Sequence, residues 1–469
     1  MKKITLLFAY FISISLFAQS ASEAIKAVEN GLTPSVRFDD QSTWNIEDRM
    51  KRYKVPGVTV AVIKDYKIDW AKAYGVSDQS SGDPATTETA FQAASISKTI
   101  NAIGVLKWAE QNNVDLEADI NTLLKSWQFP YEKENELISL QHLLTHTAGL
   151  SVHGFGGYKN NKKLPTTAQI VTGEKPANNP RVKRLFAPGE KFKYSGGGTT
   201  ITQLIMEDNN GDYAAYMNEN IFAPLGMNRS FYPTNFKGEV SMSHNHKGEK
   251  RKNGFNIYPE LGAAALWITP TDLAKLLIEL QMTLDDKGGN VISKETLETM
   301  LTPAKEGADN ALGTFIHDEG NGKYFQHSGG NEGFNCLYYA SAEGGHGAIV
   351  MINAEKFELI NEIMRSISET YDWGVLKTKV VSRADKPSIE ELKGLVGTYR
   401  SVDFPERSLI VSIEKEKIYI EEKKRWRSEL IPEDADSFVT KDINPAVTID
   451  FEGDKLVIEQ GKRYEWMKE

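Results

Sequence analysis

The chain has 469 residues, of which 40% are hydrophobic and 25% charged, with a formal net charge of −9. This length and balance describe a globular protein of two or three domains with room for a large core. The acidic sum and the lack of any long Lys/Arg run exclude the basic footprint of a nucleic-acid binder or a membrane-surface patch.

The N-terminus, MKKITLLFAYFISISLFAQSAS, carries Lys2 and Lys3, then an apolar run of roughly 15 residues and small residues suited to cleavage after Ala18 or Ser20. Residues 1–20 read as a secretory signal peptide. The run is short for a bilayer span, and no cysteine follows it for lipid attachment. The expected mature chain is exported, periplasmic or secreted, and has no stable membrane anchor.

Further along, 57-GVTVAVI-63 and 68-IDWAKAYG-75 flank the polar turn KDYK and read as a hairpin. From Ser95 a helical repeat sets Ile96, Ile100, Ile103, Leu106 and Ala109 on one face. Residues 112–310 are mixed and helix-rich. Within them Thr269 or Thr271 caps a helix through Leu273, Leu276, Leu277 and Leu280. His244 and His246 fall in a polar loop without metal-ligand spacing. A second hairpin, 334-FNCLYYAS-341 and 347-GAIVMIN-353, precedes a helix over 355–371. Cys336, the one cysteine, excludes an intrachain disulfide and reads as a buried, inert thiol. If early and late strands pair, the sheet is mostly antiparallel with the helical insert beside it, an α+β domain. The polar connection 379-KVVSRADKPS-388 sets a domain boundary near 385. Beyond it about seven short strands, among them SLIVSI, KIYIEE, AVTIDF and KLVIEQ, signal a small barrel or sandwich.

Ser95 and Lys98, three apart at a helix start, share one face. A serine there sits among free backbone N–H groups that can stabilise an oxyanion. Its hydroxyl is a weak nucleophile until a base, such as a desolvated lysine or a tyrosinate, takes its proton. Serine-x-x-lysine alone is common by chance, and two further segments, 192-FKYSGGGTT-200 and 326-QHSGGNEGF-334, give it weight.

With 95-SISK-98, these segments resemble the S-x-x-K, Y-x-N and K-T-G motifs of the serine β-lactamase and penicillin-binding-protein superfamily. The resemblance is to its class C β-lactamase-like group, which includes D-Ala-D-Ala carboxypeptidases, D-aminopeptidases and esterases. It extends over roughly residues 45–375 and includes 143-LLTHTAGL-150, 221-IFAPLGM-227 and 259-PELGAAALWITPTDLA-274. It implies a β-lactamase/transpeptidase-like domain over 21–378, with an antiparallel sheet flanked by helices and a helical subdomain. The segment 389–469, through 394-GLVGTYRS-401, resembles a small lipocalin-like barrel. By resemblance Ser95 is the acylated nucleophile, Lys98 its proton partner and Tyr194 the general base. Which of Lys98 and Tyr194 takes the proton is left open. His327 and Ser328 stand in the third motif on the substrate side, and the backbone N–H of Gly330 joins that of Ser95 in an oxyanion hole. Tyr194 would need nearby positive charge to act near neutral pH, supplied by Lys98 and by His327. The loop 151-SVHGFGGYKNNKKLP-165 is expected over the cleft, with Phe155 and Tyr158 lining a pocket.

Two departures bear on the substrate. Gly196 replaces the motif asparagine, and His327 replaces the lysine that favours a substrate carboxylate. The expected function is an exported serine hydrolase acting on amides or esters, with a peptide or small-molecule substrate and no cofactor or metal. The alternatives are β-lactam hydrolysis and a catalytically silent penicillin-binding or sensor protein. A G-x-S-x-G nucleophile elbow is excluded, since neither Ser195 nor Ser328 has a glycine two residues before it.

Overall fold

Both turns of the central hairpins meet at one edge of a sheet. In the first, Asp65 and Tyr66 sit at φ 51° and 61°, as a two-residue turn matched to strand twist requires, and Tyr66 N donates to Gly345 O of the second at 2.9 Å. The structure is a computed structural model and describes residues 21–469 apart from 132–136, 160–161, 234–237, 320–321, 383–386, 424, 435, 444–445 and 460–462. The expected signal peptide, 1–20, lies outside the described residues.

The hairpin strands are β1 (Gly57–Lys64) and β2 (Lys67–Asp78), with a two-residue extension, β3 (Asp83–Pro84). The chain then leaves the sheet and returns as β4 (Phe315–Glu319), β5 (Gly322–Asn331), β6 (Phe334–Ser341) and β7 (Gly347–Ile352). The sheet order is β3-β2-β1-β7-β6-β5-β4. Early and late strands join at β1 and β7, antiparallel, with Val58 opposite Ile352 and Val60 opposite Val350. β1, β6 and β7 are buried along almost their whole length, which is why they read as near-continuous apolar runs rather than alternating ones.

The departing chain forms α1 (Ser97–Asn112), then α2 (Gly196–Asn210) and α3 (Pro270–Leu284). The repeat through Ile100, Ile103 and Leu106 marks only part of what α1 buries, for Ala102, Val105 and Trp108 are buried as well. A helix apolar on every side belongs inside a domain, and α1 is the centre of the main core cluster. Of the two threonines expected to cap α3, Thr269 does so, accepting from Asp272 N at 3.2 Å with proline in the first turn. α4 (Phe357–Thr370) follows β7.

Two compact units emerge: Glu47–Ile360, and the N-terminal residues up to Ile46 with Asn361–Glu469. The division falls inside α4. The connection near 385 opens with the strand Lys379–Val381, which pairs in parallel with Val36–Phe38. Val36 and Val381 then pack with Ile431 and Val439, which joins the N-terminal segment to the C-terminal unit. That unit holds a closed barrel of eight strands, β8 (Gly397–Ser401), β9 (Ser408–Glu414), β10 (Lys417–Glu422), β11 (Trp426–Pro432), β12 (Ser437–Thr440), β13 (Thr448–Glu452), β14 (Lys455–Glu459) and β15 (Arg463–Lys468). Eight strands replace the expected seven. β12 has only four residues, too few to show a period-two pattern.

Cys336 is buried and its thiol donates to Ala93 O at 3.0 Å, while burial pushes the thiol well above its ordinary range. His244 lies in a loop, as read, and that loop is covered. It is fully buried, with Nδ1 against Asn353 O at 3.1 Å and Nε2 accepting from Gln79 N at 3.2 Å. Among the described residues no helix is long and apolar enough to cross a membrane.

β5 approaches the segment before Ser95 so closely that any side chain at Gly329 would collide with Ala93 O and Cys336 Sγ. Gly329→Ala is therefore expected to lower the unfolding free energy by roughly 2 kcal/mol, as overpacking does, read from the urea midpoint. Gly330→Ala, whose Cβ would meet only Asn335 Nδ2 at 3.2 Å and the Phe357 ring at 3.7 Å, should cost less than half of that.

Candidate active site

Ser95 lies in a single 3-10 turn, Ala94–Ile96, that runs directly into α1. Ala94 is held at φ 48°, a conformation that costs a non-glycine residue on the order of 1–3 kcal/mol. Surrounding bonds enforce it: Ala93 N donates to Leu266 O at 2.8 Å, and Leu266 N donates to Ser97 Oγ at 3.2 Å. Those two bonds staple the wide turn Leu261–Ala265 to the start of α1.

The staple places a carbonyl where the lysine needs one. Lys98 is 4% exposed, and its Nζ donates to Ser95 Oγ at 3.0 Å and to Ala263 O at 2.7 Å. No ion pair of Lys98 is found among the described residues. A buried ammonium must be met by acceptors, and here both are neutral. One of them is the serine hydroxyl.

The Lys98 ammonium also lies 5.0 Å from the centre of the Tyr194 ring, within cation–π range. Tyr194 is half-buried, and its hydroxyl makes no hydrogen bond among the described residues. Its backbone is fixed by His146, which the sequence reading passed over. His146 O accepts from Lys193 N at 2.8 Å, and His146 Nδ1 accepts from Ser195 N at 3.2 Å. The imidazole lies 4.4 Å from the phenol ring, centre to centre. One residue thus holds the N–H groups of both chain neighbours of Tyr194 and lies against its ring. His146 sits at φ 58°, a left-handed conformation in which histidine is enriched. Its appearance inside 143-LLTHTAGL-150 was the only signal that could have marked it.

The second motif is closed from the other side by the loop 151–155. Ser195 Oγ donates to Ser151 O at 2.7 Å, Gly197 N to Val152 O at 3.0 Å and Gly196 N to His153 O at 3.0 Å. A Cβ at Gly196 would lie 3.0 Å from the Phe155 ring and 3.1 Å from His153 O. A side chain there, such as the asparagine of the motif, would require the 153–155 loop to shift by a few tenths of an ångström. Phe155 thus reaches the site. Tyr158 does not: it is buried in a bridge to Ile257, and its hydroxyl accepts from Asn178 N at 2.9 Å. The exposed His153 brings its ring to 5.0 Å from that of Tyr194.

His327, on β5, has its ring 6.2 Å from that of Tyr194. It is buried, its Nδ1 faces Ser328 O at 2.6 Å, and its Nε2 has no partner among the described residues. Burial first, and then the Lys98 charge, lower its pKa to about 3. The same two causes lower His146 and His153. The expectation that His327 lends positive charge to Tyr194 is therefore overturned: the imidazole is neutral, and the nearby cation is Lys98. Ser328 and Gly330 occupy exposed positions on β5, on either side of Gly329, which packs against Ala93. Behind the lysine's carbonyl anchor sits Glu260. It is fully buried with both carboxyl oxygens unpartnered among the described residues, and burial pushes it up to about 7.

Residues 44–365 match the family described as Beta-lactamase. "Protein flp" of Staphylococcus aureus (strain N315) is 24% identical over 318 residues, 66% of this chain and 61% of that protein. The chain thus matches about three fifths of that relative's length. Among solved structures, the octameric penicillin-binding protein homologue from Pyrococcus abyssi aligns with a TM-score of 0.60 at 22% identity, over 90% of this chain and 98% of the other. The D-amino acid amidase from Ochrobactrum anthropi SV3 aligns with a TM-score of 0.59 at 20% identity, over 75% and 98%.

His146→Leu should lower kcat at least tenfold and distort the alkaline limb of the pH–rate profile, because Tyr194 loses its clamp. His146→Asn, whose Oδ1 can replace the Nδ1 acceptor, should recover most of the rate. Equal loss of rate in both variants, with unchanged profiles, would mean His146 does no more than fill space. A second prediction concerns stability. As pH falls, the unfolded chain protonates His327 near 6.5, while the folded chain resists until about 3. Stability is lost across that window and none is lost above it. Between pH 7 and 4.5, His327→Gln should lose about 2 kcal/mol less than the native chain, read from denaturant midpoints.

Proposed function

Because the chain belongs to the Beta-lactamase family, we propose that it is an exported serine hydrolase that acylates Ser95 and cleaves uncharged amides or esters. One observation carries this reading: the Lys98 Nζ, locked by Ala263 O, is within 3.0 Å of Ser95 Oγ, with no ion-pair partner among the described residues. In the proposed reaction the single Ser95 proton passes either to Tyr194, as the phenolate beside the Lys98 ammonium, or to Lys98, as the free amine, while Oγ bonds to the substrate carbonyl carbon. The N–H groups of Ser95 and Gly330 hold the oxyanion. The proton passes to the leaving amine or alcohol, and water then releases the acyl group by the reverse route.

Substrate preference follows from what the site lacks. His327 is neutral and offers no cation for a substrate carboxylate. The motif asparagine is replaced by Gly196, against which Phe155 and His153 O lie, so no side-chain amide is available there for the acylamino group of a penicillin. Both features support esters and amides without a carboxylate beside the scissile bond. The D-amino acid amidase on the same fold supports amino-acid amides within that range. The signal-like N-terminus supports action in the periplasm or outside the cell.

The test is a rate survey of p-nitrophenyl acetate, an amino-acid amide, a D-Ala-D-Ala peptide and nitrocefin. Ester and amide turnover should exceed that of nitrocefin and of the carboxylate-bearing peptide. Ser95→Ala and Lys98→Ala should each reduce it by on the order of 10³ or more. Nitrocefin hydrolysis at or above the ester rate would overturn the substrate class, and full activity in Ser95→Ala would overturn the mechanism.

A further inference from the structure

We infer that one mouth of the C-terminal barrel is a binding site for a compact amphipathic carboxylate, separate from the hydrolytic chemistry. An eight-stranded barrel is just wide enough to be filled by its own side chains or to hold one small ligand. This one is filled only in part. Tyr399, Phe438 and Phe451 pack edge to face, with ring centres at 5.8 and 5.4 Å. Beside them, where Phe438 pairs with Ile449, a cavity of about 490 Å³ remains, within the range of small-ligand sites. It is walled by Ile449, Ile458, Trp426 and Trp466, with Phe404 and Arg407 at the rim. All four wall residues stand at inward positions of their strands, in phase with the buried Phe451, Leu456 and Leu430. Apolar and aromatic faces therefore line a space that the chain itself leaves open.

The polar side is as specific. Arg407 Nε and Nη2 donate to the two oxygens of Glu422 at 2.9 and 3.0 Å. Glu422 is nearly buried and is also met by Arg425 at 3.1 Å, so two guanidiniums share one carboxylate. Arg407 Nη1 has no partner among the described residues, and the guanidinium stands 5.5 Å from the Trp466 ring and 5.8 Å from that of Phe404. A fixed, planar cation with a free donor edge beside apolar walls is suited to a carboxylate head on an apolar body. The Glu422 pairing holds that edge in place in advance, which lowers the cost of binding. A volume of this size suits a small body with a flat apolar face better than a large one.

The probe is 2-naphthoate, with 2-naphthamide as its uncharged counterpart, titrated calorimetrically into the full chain. One naphthoate should bind per chain, at least tenfold more tightly than the amide. The double variant Arg407→Gln/Glu422→Gln removes the head contact without stranding a buried charge. It should weaken naphthoate at least tenfold and change the amide by less than threefold. Ile449→Trp, which fills the cavity, should abolish both. Ser95→Ala should bind as the native chain does, so the result is independent of the proposed hydrolysis. No saturable binding, equal affinity for the two probes, or loss of binding in Ser95→Ala would each overturn the assignment. If Ile449→Trp fails to fold, the comparison of the two probes on the native chain still decides.

Discussion

A buried lysine ammonium with no carboxylate partner among the described residues organises the candidate site. Lys98 is 4% exposed and is satisfied by one hydroxyl and one carbonyl. A charge so placed costs several kcal/mol unless its acceptors are fixed in advance. The means of fixing them extend outward through the fold. Ala263 O is aimed by the turn Leu261–Ala265, that turn is stapled to α1 through Leu266, and Asn331 Nδ2 holds the neighbouring Ala264 O at 3.0 Å. The strain at Ala94 is part of the same arrangement, because it turns Ser95 toward the amine instead of into the helix.

The second motif meets the same demand by different means. Tyr194 has to stand against the ammonium, yet α2 starts directly after it with three glycines, Gly196, Gly197 and Gly198. A run of glycines positions nothing by itself, since it carries no side chains and maximal backbone freedom. The rigidity comes from outside, from His146 on one flank and from the carbonyls of Ser151, Val152 and His153 on the other. The glycines are then a consequence: they let the 151–155 loop lie directly on the helix start.

Much of this was legible in the sequence, and the parts that were not share a cause. The hairpins around residues 65 and 344, the Thr269 cap and the antiparallel joining of early and late strands follow from local chemistry, and local chemistry is what a sequence displays. Ser95, Lys98 and Tyr194 were found because their motifs resemble those of a family. His146 was missed because its contribution is a backbone carbonyl and one ring nitrogen, neither of which marks the residue type. His327 was located but given the wrong charge. Its ordinary pKa lies near neutrality, and only the three-dimensional fact of complete burial beside Lys98 moves it down to about 3. The count of barrel strands and the burial of His244 were not legible for the same reason, since neither length nor polarity reports on tertiary cover.

The neutral imidazoles also explain how one cation can serve the whole site. Burial first, and then the charge of Lys98, lower the pKa of His146, His153 and His327. Had any of them carried a proton, two like charges would compete in a space of low dielectric, and the imidazole, the weaker base, would give up its proton first. Kept neutral, the rings exclude water from Tyr194 without adding charge, so the field of the ammonium falls on the serine hydroxyl and the phenol. That field favours an anion formed next to it, such as an alkoxide or a tetrahedral oxyanion.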